Sequence, residues 1–297
     1  MEKILVDKVG ILGNRLISSY LEKDEPFSVC RIGLTEMRWV DWFIRGGMES
    51  DCDGIVTSEG KYYTPTLSDK MSFHGVYGGY HDYFFEEFNN GIRTADIQIF
   101  WENIIEREQN NIFNVLSPNS YKVSFDSLNP TKHIDFWSKK LKNKKVLLVH
   151  QCENTIRLQY TNREKIWVDG HVGKIPEMQI STFKPVWVLG NNKPHNSWKD
   201  SLEYMKSEIS KMDFDVAILA CCYFGMPLIN FIKNEMNRSC IYMGGDLQIL
   251  FGIMGTRWDQ TRAGGFYNDN WVRCLPIDIP FVGDKEDLPG TDNWAYF

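Results

Sequence analysis

The sequence predicts an α/β protein: a parallel sheet flanked by helices, Rossmann-like, with an aromatic-rich loop insertion and an irregular C-terminal tail. Three observations predict it. Residues 144–151 (KKVLLVHQ) are a short, continuous, branched apolar run bounded by lysines, the pattern of a strand buried on both faces. Comparable runs recur at 214–222 (FDVAILACC) and 239–245 (SCIYMGG). Stretches with helical spacing separate them. This alternation over 141–258 makes a parallel sheet with helices on both faces the economical solution.

Taken in order, residues 12–22 (LGNRLISSYLE) read as a short helix, and Pro26 leads into a strand, FSVCRIG. Residues 34–45 carry Leu34, Met37, Val40 and Phe43 at helical spacing, and Gly46-Gly47 end that helix. Residues 48–95 form a loop-rich insertion with a short helix near 80–90, material that lies over a site or contacts another chain. Its aromatics at 62–63, 77, 80 and 83–85 fit an acceptor lid or a dimer contact. Residues 95–101 read as a strand, 111–116 or 121–125 as further strands, and 131–141 as a helix. After the strand at 144–151, residues 153–167 read as one helix and 178–189 as the next strand. Residues 197–212 form an amphipathic helix with Leu202, Met205 and Ile209 on one side and Ser197 as its cap. The helix at 227–236 follows the third buried strand, and 246–258 hold the last helix or turn. The chain 1–297 thus reads as a single α/β domain, most regular at 141–258.

Composition narrows the function. With a net charge of −6 and no basic stripe, nucleic acid is not an expected partner. Lys139, Lys140, Lys142, Lys144 and Lys145 read as a solvated helix end. The seven cysteines show no CxxC, as expected of buried thiols in a reducing cytoplasm. The apolar stretch 216–232 is broken at Gly225-Met226-Pro227, which fits a strand, a loop and a helix start, and leaves room for peripheral membrane contact. Aromatic residues reach 14%, which suits either a binder of sugars and planar rings or a compact aromatic core.

In an open parallel sheet, ligands collect outside the carboxyl ends of the strands. The polar residues after each strand are therefore the candidates. They are Arg31, Gly33, Thr35 and Glu36; His150, Gln151, Glu153, Asn154, Thr155 and Arg157; Tyr223 and Gly225; and Gly244, Gly245, Asp246 and Gln248. Gly244-Gly245 could bring backbone N–H groups to a diphosphate, or simply make a tight turn. Neither GxGxxG nor GxxxxGK[ST] occurs. Glu36 could cap its helix, ligate Mg²⁺ or Mn²⁺, or act as a base. His150, Glu153 and Asp246 are the other candidate bases. Arg31, Arg157 and Arg257 could neutralise a polyanionic leaving group. The histidines show no paired ligand spacing; Asp51-Cys52-Asp53 reads as a solvated turn, and a cluster of Asp69, His74, His81 and Asp82 as a loop.

Three blocks, SVCRIGLTE, KKVLLVHQCENTIRLQYTNREKIW and residues 214–258, together with NWVRCLP and NWAYF, resemble a family of bacterial GT-D-fold glycosyltransferases and relatives from polysaccharide gene clusters. The resemblance spans nearly the whole chain and is thinnest over 48–130. It implies transfer of a sugar from a nucleotide donor, UDP-linked, to a glycan or lipid-linked acceptor in surface polysaccharide synthesis. The cysteine pattern adds the expectation of a cytoplasmic setting, the apolar stretch that of peripheral contact at the inner membrane face, and the aromatic insertion that of a homodimer. In that fold an Asp-x-Glu motif handles metal and diphosphate. Leu34-Thr35-Glu36 occupies that place here, with the Glu present and Leu at the Asp position. The resemblance therefore expects Mn²⁺ or Mg²⁺ at Glu36. Alternatively, Arg31, Arg257 or the Gly244-Gly245 backbone carries the diphosphate charge, or Asp246 replaces the missing carboxylate. A binding protein of the same fold with altered catalysis is the rival reading.

Overall fold

The computed structural model describes residues 4–7, 9–45, 76–102, 104, 106–167, 175–188, 192–260 and 263–279, and the backbone of 55–56 and 62–63. Its strands in chain order are β1 (Ile4–Leu5), β2 (Ser28–Cys30), β3 (Ile55–Val56), β4 (Tyr62–Tyr63), β5 (Ile97–Phe100) and β6 (Tyr121–Ser124). They continue with β7 (Lys145–His150), β8 (Gln179–Phe183), β9 (Val216–Ala220), β10 (Ser239–Tyr242), β11 (Ile253–Met254) and β12 (Val272–Arg273). Eight of them form one sheet in the order β1-β6-β5-β2-β10-β9-β7-β8. Every pairing in it is parallel. The expected parallel sheet is therefore present, and it reaches well beyond 141–258. Half of its strands come from the first 124 residues.

The strand sequences explain the layering. Val146, Leu148, Val216, Ile218 and Ile241 face one core, whereas Leu147, Val149, Ala217, Leu219 and Cys240 face the other. A period of two with apolar residues at both phases is what a sheet covered on both sides requires. Val146, Leu147, Leu148 and Val149 are all fully buried. Truncating one such leucine to alanine costs about 2–5 kcal/mol.

Nine α-helices are described: α1 (Ile11–Leu21), α2 (Leu34–Ile44), α3 (His81–Thr94), α4 (Glu106–Leu116), α5 (Glu153–Thr161), α6 (Arg163–Ile166), α7 (Trp198–Ile209), α8 (Gly225–Asn230) and α9 (Asp246–Leu250). Helices α2, α3, α4, α7 and α8 supply one core; α1, α5, α9 and the C-terminal segment supply the other. Helix α7 buries Trp198, Leu202, Met205 and Ile209, and the Ser197 hydroxyl accepts from the Asp200 N–H at 3.1 Å, the expected cap.

Several expectations are corrected. Residues 111–116 belong to helix α4, whose buried Gln109, Ile112, Phe113 and Leu116 follow a helical period; the strand is at 121–124. Residues 131–141 are not one helix but two 3₁₀ turns, because Asn14 takes the Trp137 N–H and donates to the Asp135 carbonyl, both at 2.8 Å. The helix at 153–167 is interrupted at Asn162, and the one at 227–236 finishes as a π-helix over Phe231–Glu235. The short helix expected near 80–90 runs longer, as the 14-residue helix α3, with Phe84, Phe85 and Phe88 wholly within the core. Phe84 and Phe85 are thus not lid residues. At Gly91 the helix lies against the Met226 carbonyl, where any side chain would collide. Asp51, Asp53, Asp69 and His74, and the side chains of Tyr62 and Tyr63, lie outside the described residues. Of the tail, the described residues 263–279 are largely irregular, but β12 pairs parallel with β11. Among the described residues, no helix is long and apolar enough to cross a membrane.

Candidate functional site

A cavity of about 390 Å³ opens at the carboxyl ends of β5, β2, β10, β9 and β7. From β2 the chain runs outward to β5 and β6, while β10 reaches β2 from the other side. The crevice lies where the two halves of the sheet meet, the place at which parallel sheets bind ligands. Arg31, Gly33, Leu34, Thr35 and Glu36 line it after β2, Trp101 after β5, and His150 and Gln151 at the end of β7. Ala220, Cys222 and Tyr223 line it from β9, Tyr242, Gly244 and Gly245 from β10, and Trp187 and Arg257 complete the wall.

Arg31 is held rather than free. Its Nη1 donates to the Met243 carbonyl at 2.9 Å and stands 3.9 Å from Asp246 Oδ2. The guanidinium carbon lies 5.2 Å from the Trp101 ring and 4.8 Å from the Phe125 ring, and these two rings stack at 4.1 Å. Gly244, at φ +61°, leaves no room for a side chain, because a Cβ there would meet Arg31 Nη1. Its N–H is bonded to the Leu219 carbonyl at 3.0 Å. Of the two readings of this glycine, the tight turn fits better: its amide is engaged, and its missing side chain admits Arg31.

Glu36 occupies the third position of α2 and folds back over the N-cap residue Gly33, where its carboxylate would meet any Cβ. Burial raises its pKa; a hydrogen bond from its own N–H and the nearby Arg31 charge pull the other way. A carboxyl whose pKa is raised by burial is a better proton acceptor than an ordinary one.

His150 is corrected as a base. Its Nδ1 accepts the Cys152 N–H at 2.8 Å, so in the neutral ring the proton sits on Nε2. Burial brings its pKa down to about 4, partly offset by the Asp278 charge. At neutral pH His150 is therefore a hydrogen-bond donor with no available lone pair. Gln151 beside it donates from Nε2 to the Asp278 carbonyl at 3.0 Å, while its Oε1 is buried without a partner.

Seven predicted residues, Asn154 among them, are not on the cavity wall. Asp246 is fully buried behind Arg31, so it orients that side chain and is remote from a substrate hydroxyl. Glu153 accepts from the Thr182 hydroxyl at 2.9 Å, and Arg157 Nε donates to the same hydroxyl at 2.6 Å, so the pair braces α5 against β8. Thr155 gives both its N–H and its hydroxyl to Asp278, each at 2.7 Å. Gly225 packs under the Tyr242 ring, and Gln248 is wholly buried. Conversely, Trp101, Trp187 and Tyr242 line the cavity without having been singled out. Trp101 immediately follows β5, so the strand-end rule extended to a fifth strand finds it. Asp278 has no local signal, since its partners lie about 120 residues upstream.

No protein-family model, curated protein or solved structure matches this chain.

The arrangement favours an anion carrying a flat ring. Arg31 and Arg257 are cationic, His150 is a neutral donor, and Tyr223, stacked on Trp39 at 5.4 Å, gives an aromatic wall. Among the described residues no group of three or more His, Cys, Asp or Glu could hold a metal ion. Glu36 is the sole carboxylate among the described lining residues. This donor set does not make a protein cage for a divalent ion, which takes several oxygen ligands.

Proposed function

We propose that this chain is a nucleotide-sugar glycosyltransferase of GT-D type, moving a sugar from a UDP-linked or related donor to a glycan or lipid-linked acceptor. The observation that carries the reading is the cavity itself: two arginines and an upward-tuned carboxyl converge at the seam of a parallel sheet. The donor diphosphate faces Arg31 and Arg257, which neutralise the charge that develops on the leaving group. Glu36 takes the proton of the acceptor hydroxyl. His150 donates a hydrogen bond to the donor and takes no proton. Were Mg²⁺ or Mn²⁺ required, Glu36 is the described lining carboxylate that could hold it, and the ion would supply charge neutralisation at the diphosphate. The resemblance of 29–36 and 214–258 supports the same reading; the cysteine pattern supports a cytoplasmic setting, and the apolar stretch a place beside the inner membrane face.

The test is incubation with UDP-, GDP- and dTDP-sugars, reading hydrolysis, transfer and nucleotide affinity. Glu36→Gln is expected to cut turnover at least a hundredfold while nucleotide affinity changes less than threefold; failure of every nucleotide to bind rejects the proposal. A second reading, a nucleotide-sugar-binding protein without transfer, is favoured by one observation. Leu34, at the cavity wall, stands where the resembling family places an acid. Under that reading binding persists and no donor turns over.

A further inference from the structure

We infer that the β7 end of the cavity reads the lactam edge of a nucleobase, with His150 as donor, Gln151 as acceptor and Trp187 as a stacking wall. The inference rests on the nucleotide-site reading above and adds the recognition chemistry and the residues that set it.

The two side chains are adjacent in sequence, and both are over nine-tenths buried at the cavity wall, with 6% and 7% exposure. Each has one polar atom committed to the protein and one left over. His150 spends Nδ1 on the Cys152 N–H, leaving Nε2–H without a partner among the described residues. Gln151 spends its amide nitrogen on the Asp278 carbonyl, which fixes the orientation of the amide, and Oε1 is left unpaired and buried. A buried acceptor without a partner costs about 1–3 kcal/mol, so a ligand N–H reaching it recovers that cost. The wall thus presents a donor beside an acceptor.

The complement is a C=O next to an N–H. Uracil and thymine carry that lactam edge, and so does guanine. Cytosine and adenine carry the reverse order, an amino donor beside a ring-nitrogen acceptor, and would set donor against donor at His150. Discrimination of this kind is large because the mismatched edge leaves buried groups unpaired. Trp187, following β8 next to β7, lines the same cavity. Arg31, between the ends of β2 and β10, leaves that part of the cavity for phosphates.

Binding of UDP, dTDP, GDP, CDP and ADP to the full chain, followed by calorimetry or by quenching of Trp101 and Trp187 fluorescence, tests this. At least one of UDP, dTDP and GDP is expected to bind tenfold or more tighter than both CDP and ADP, and which one it is separates a pyrimidine site from a purine site. In His150→Phe and Gln151→Leu the preference over CDP should shrink to less than threefold, with affinity for inorganic pyrophosphate unchanged. CDP or ADP binding as tightly as the best lactam base, or a preference that survives both substitutions, overturns the inference and leaves the nucleotide site standing. Binding of none of the five removes the underlying reading as well. The ranking on the unaltered chain needs no variant, so a substitution that impairs folding does not blunt the test.

Discussion

At the scale of single residues, the site is governed by what each polar group has already committed. Arg31 lowers the Glu36 pKa against the upward push of burial. Removing that charge with Arg31→Gln is expected to move the acid limb of the kcat/KM profile to higher pH; an unmoved limb shows that Glu36 is not the titrating group. His150 makes an opposite statement about stability. Its folded pKa of about 4 lies below the ordinary 6.5, so the unfolded chain takes up a proton that the folded chain refuses. Stability therefore falls as pH drops from 6.5 toward 4, by about 2–3 kcal/mol at the lower end. Urea unfolding at pH 7 and 4.5 should show this loss in the wild type and a smaller one in His150→Gln. Gly244→Ala should cost about 1–2 kcal/mol for the left-handed backbone. It should also weaken pyrophosphate binding about tenfold by displacing Arg31. Retained pyrophosphate affinity would show that Arg31 does not contact the anion. Arg31, Glu36 and His150 were legible because each lies at or shortly after the carboxyl end of a buried strand. The commitments of Arg31 were not, because Met243 and Phe125 reach it from distant parts of the chain.

At the scale of elements, helix α5 shows how a distant segment completes a local structure. Its sequence has no side-chain cap at Cys152. Asp278 replaces one, accepting from the Asn154 N–H and side chain and from the Thr155 N–H and hydroxyl. A carboxylate at a helix N-terminus satisfies its exposed amides and its dipole. Asp278→Ala is expected to destabilise the protein by about 2–4 kcal/mol, since several hydrogen bonds to a buried charge are lost. A change below 0.5 kcal/mol in chemical denaturation would show that the cap is dispensable. The buried strands β7, β9 and β10 and helix α7 were legible from periodicity alone. Helix α3 was legible as a short helix near 80–90, with its full length obscured by Gly-rich, aromatic surroundings, and the 3₁₀ turns near 130–141 depend on Asn14, over a hundred positions away.

At the scale of the whole molecule, the cavity bridges two halves of one sheet. Bound nucleotide is expected to slow hydrogen exchange at β2 and β10 more than at the edge strand β1; uniform slowing would point to a ligand that does not sit at the seam. The parallel architecture followed from the strand–helix alternation. The lateral order did not, because nothing local tells β10 to pair with the remote β2 as well as with its sequence neighbour β9.

That seam also has a consequence for how the chain is made. Arg31 and Met243, which meet across it, are 212 positions apart. At about 5–20 residues per second, a ribosome takes roughly 10–40 s to deliver the second after the first. From the time β5 is made until β10 arrives, β2 has β5 on one side and an unsatisfied row of amides and carbonyls on the other, an open edge able to pair with another nascent chain. Late docking of so remote a partner also makes for slow closure. The groove that gives the finished protein its pocket is, during synthesis, the place where it most needs shielding.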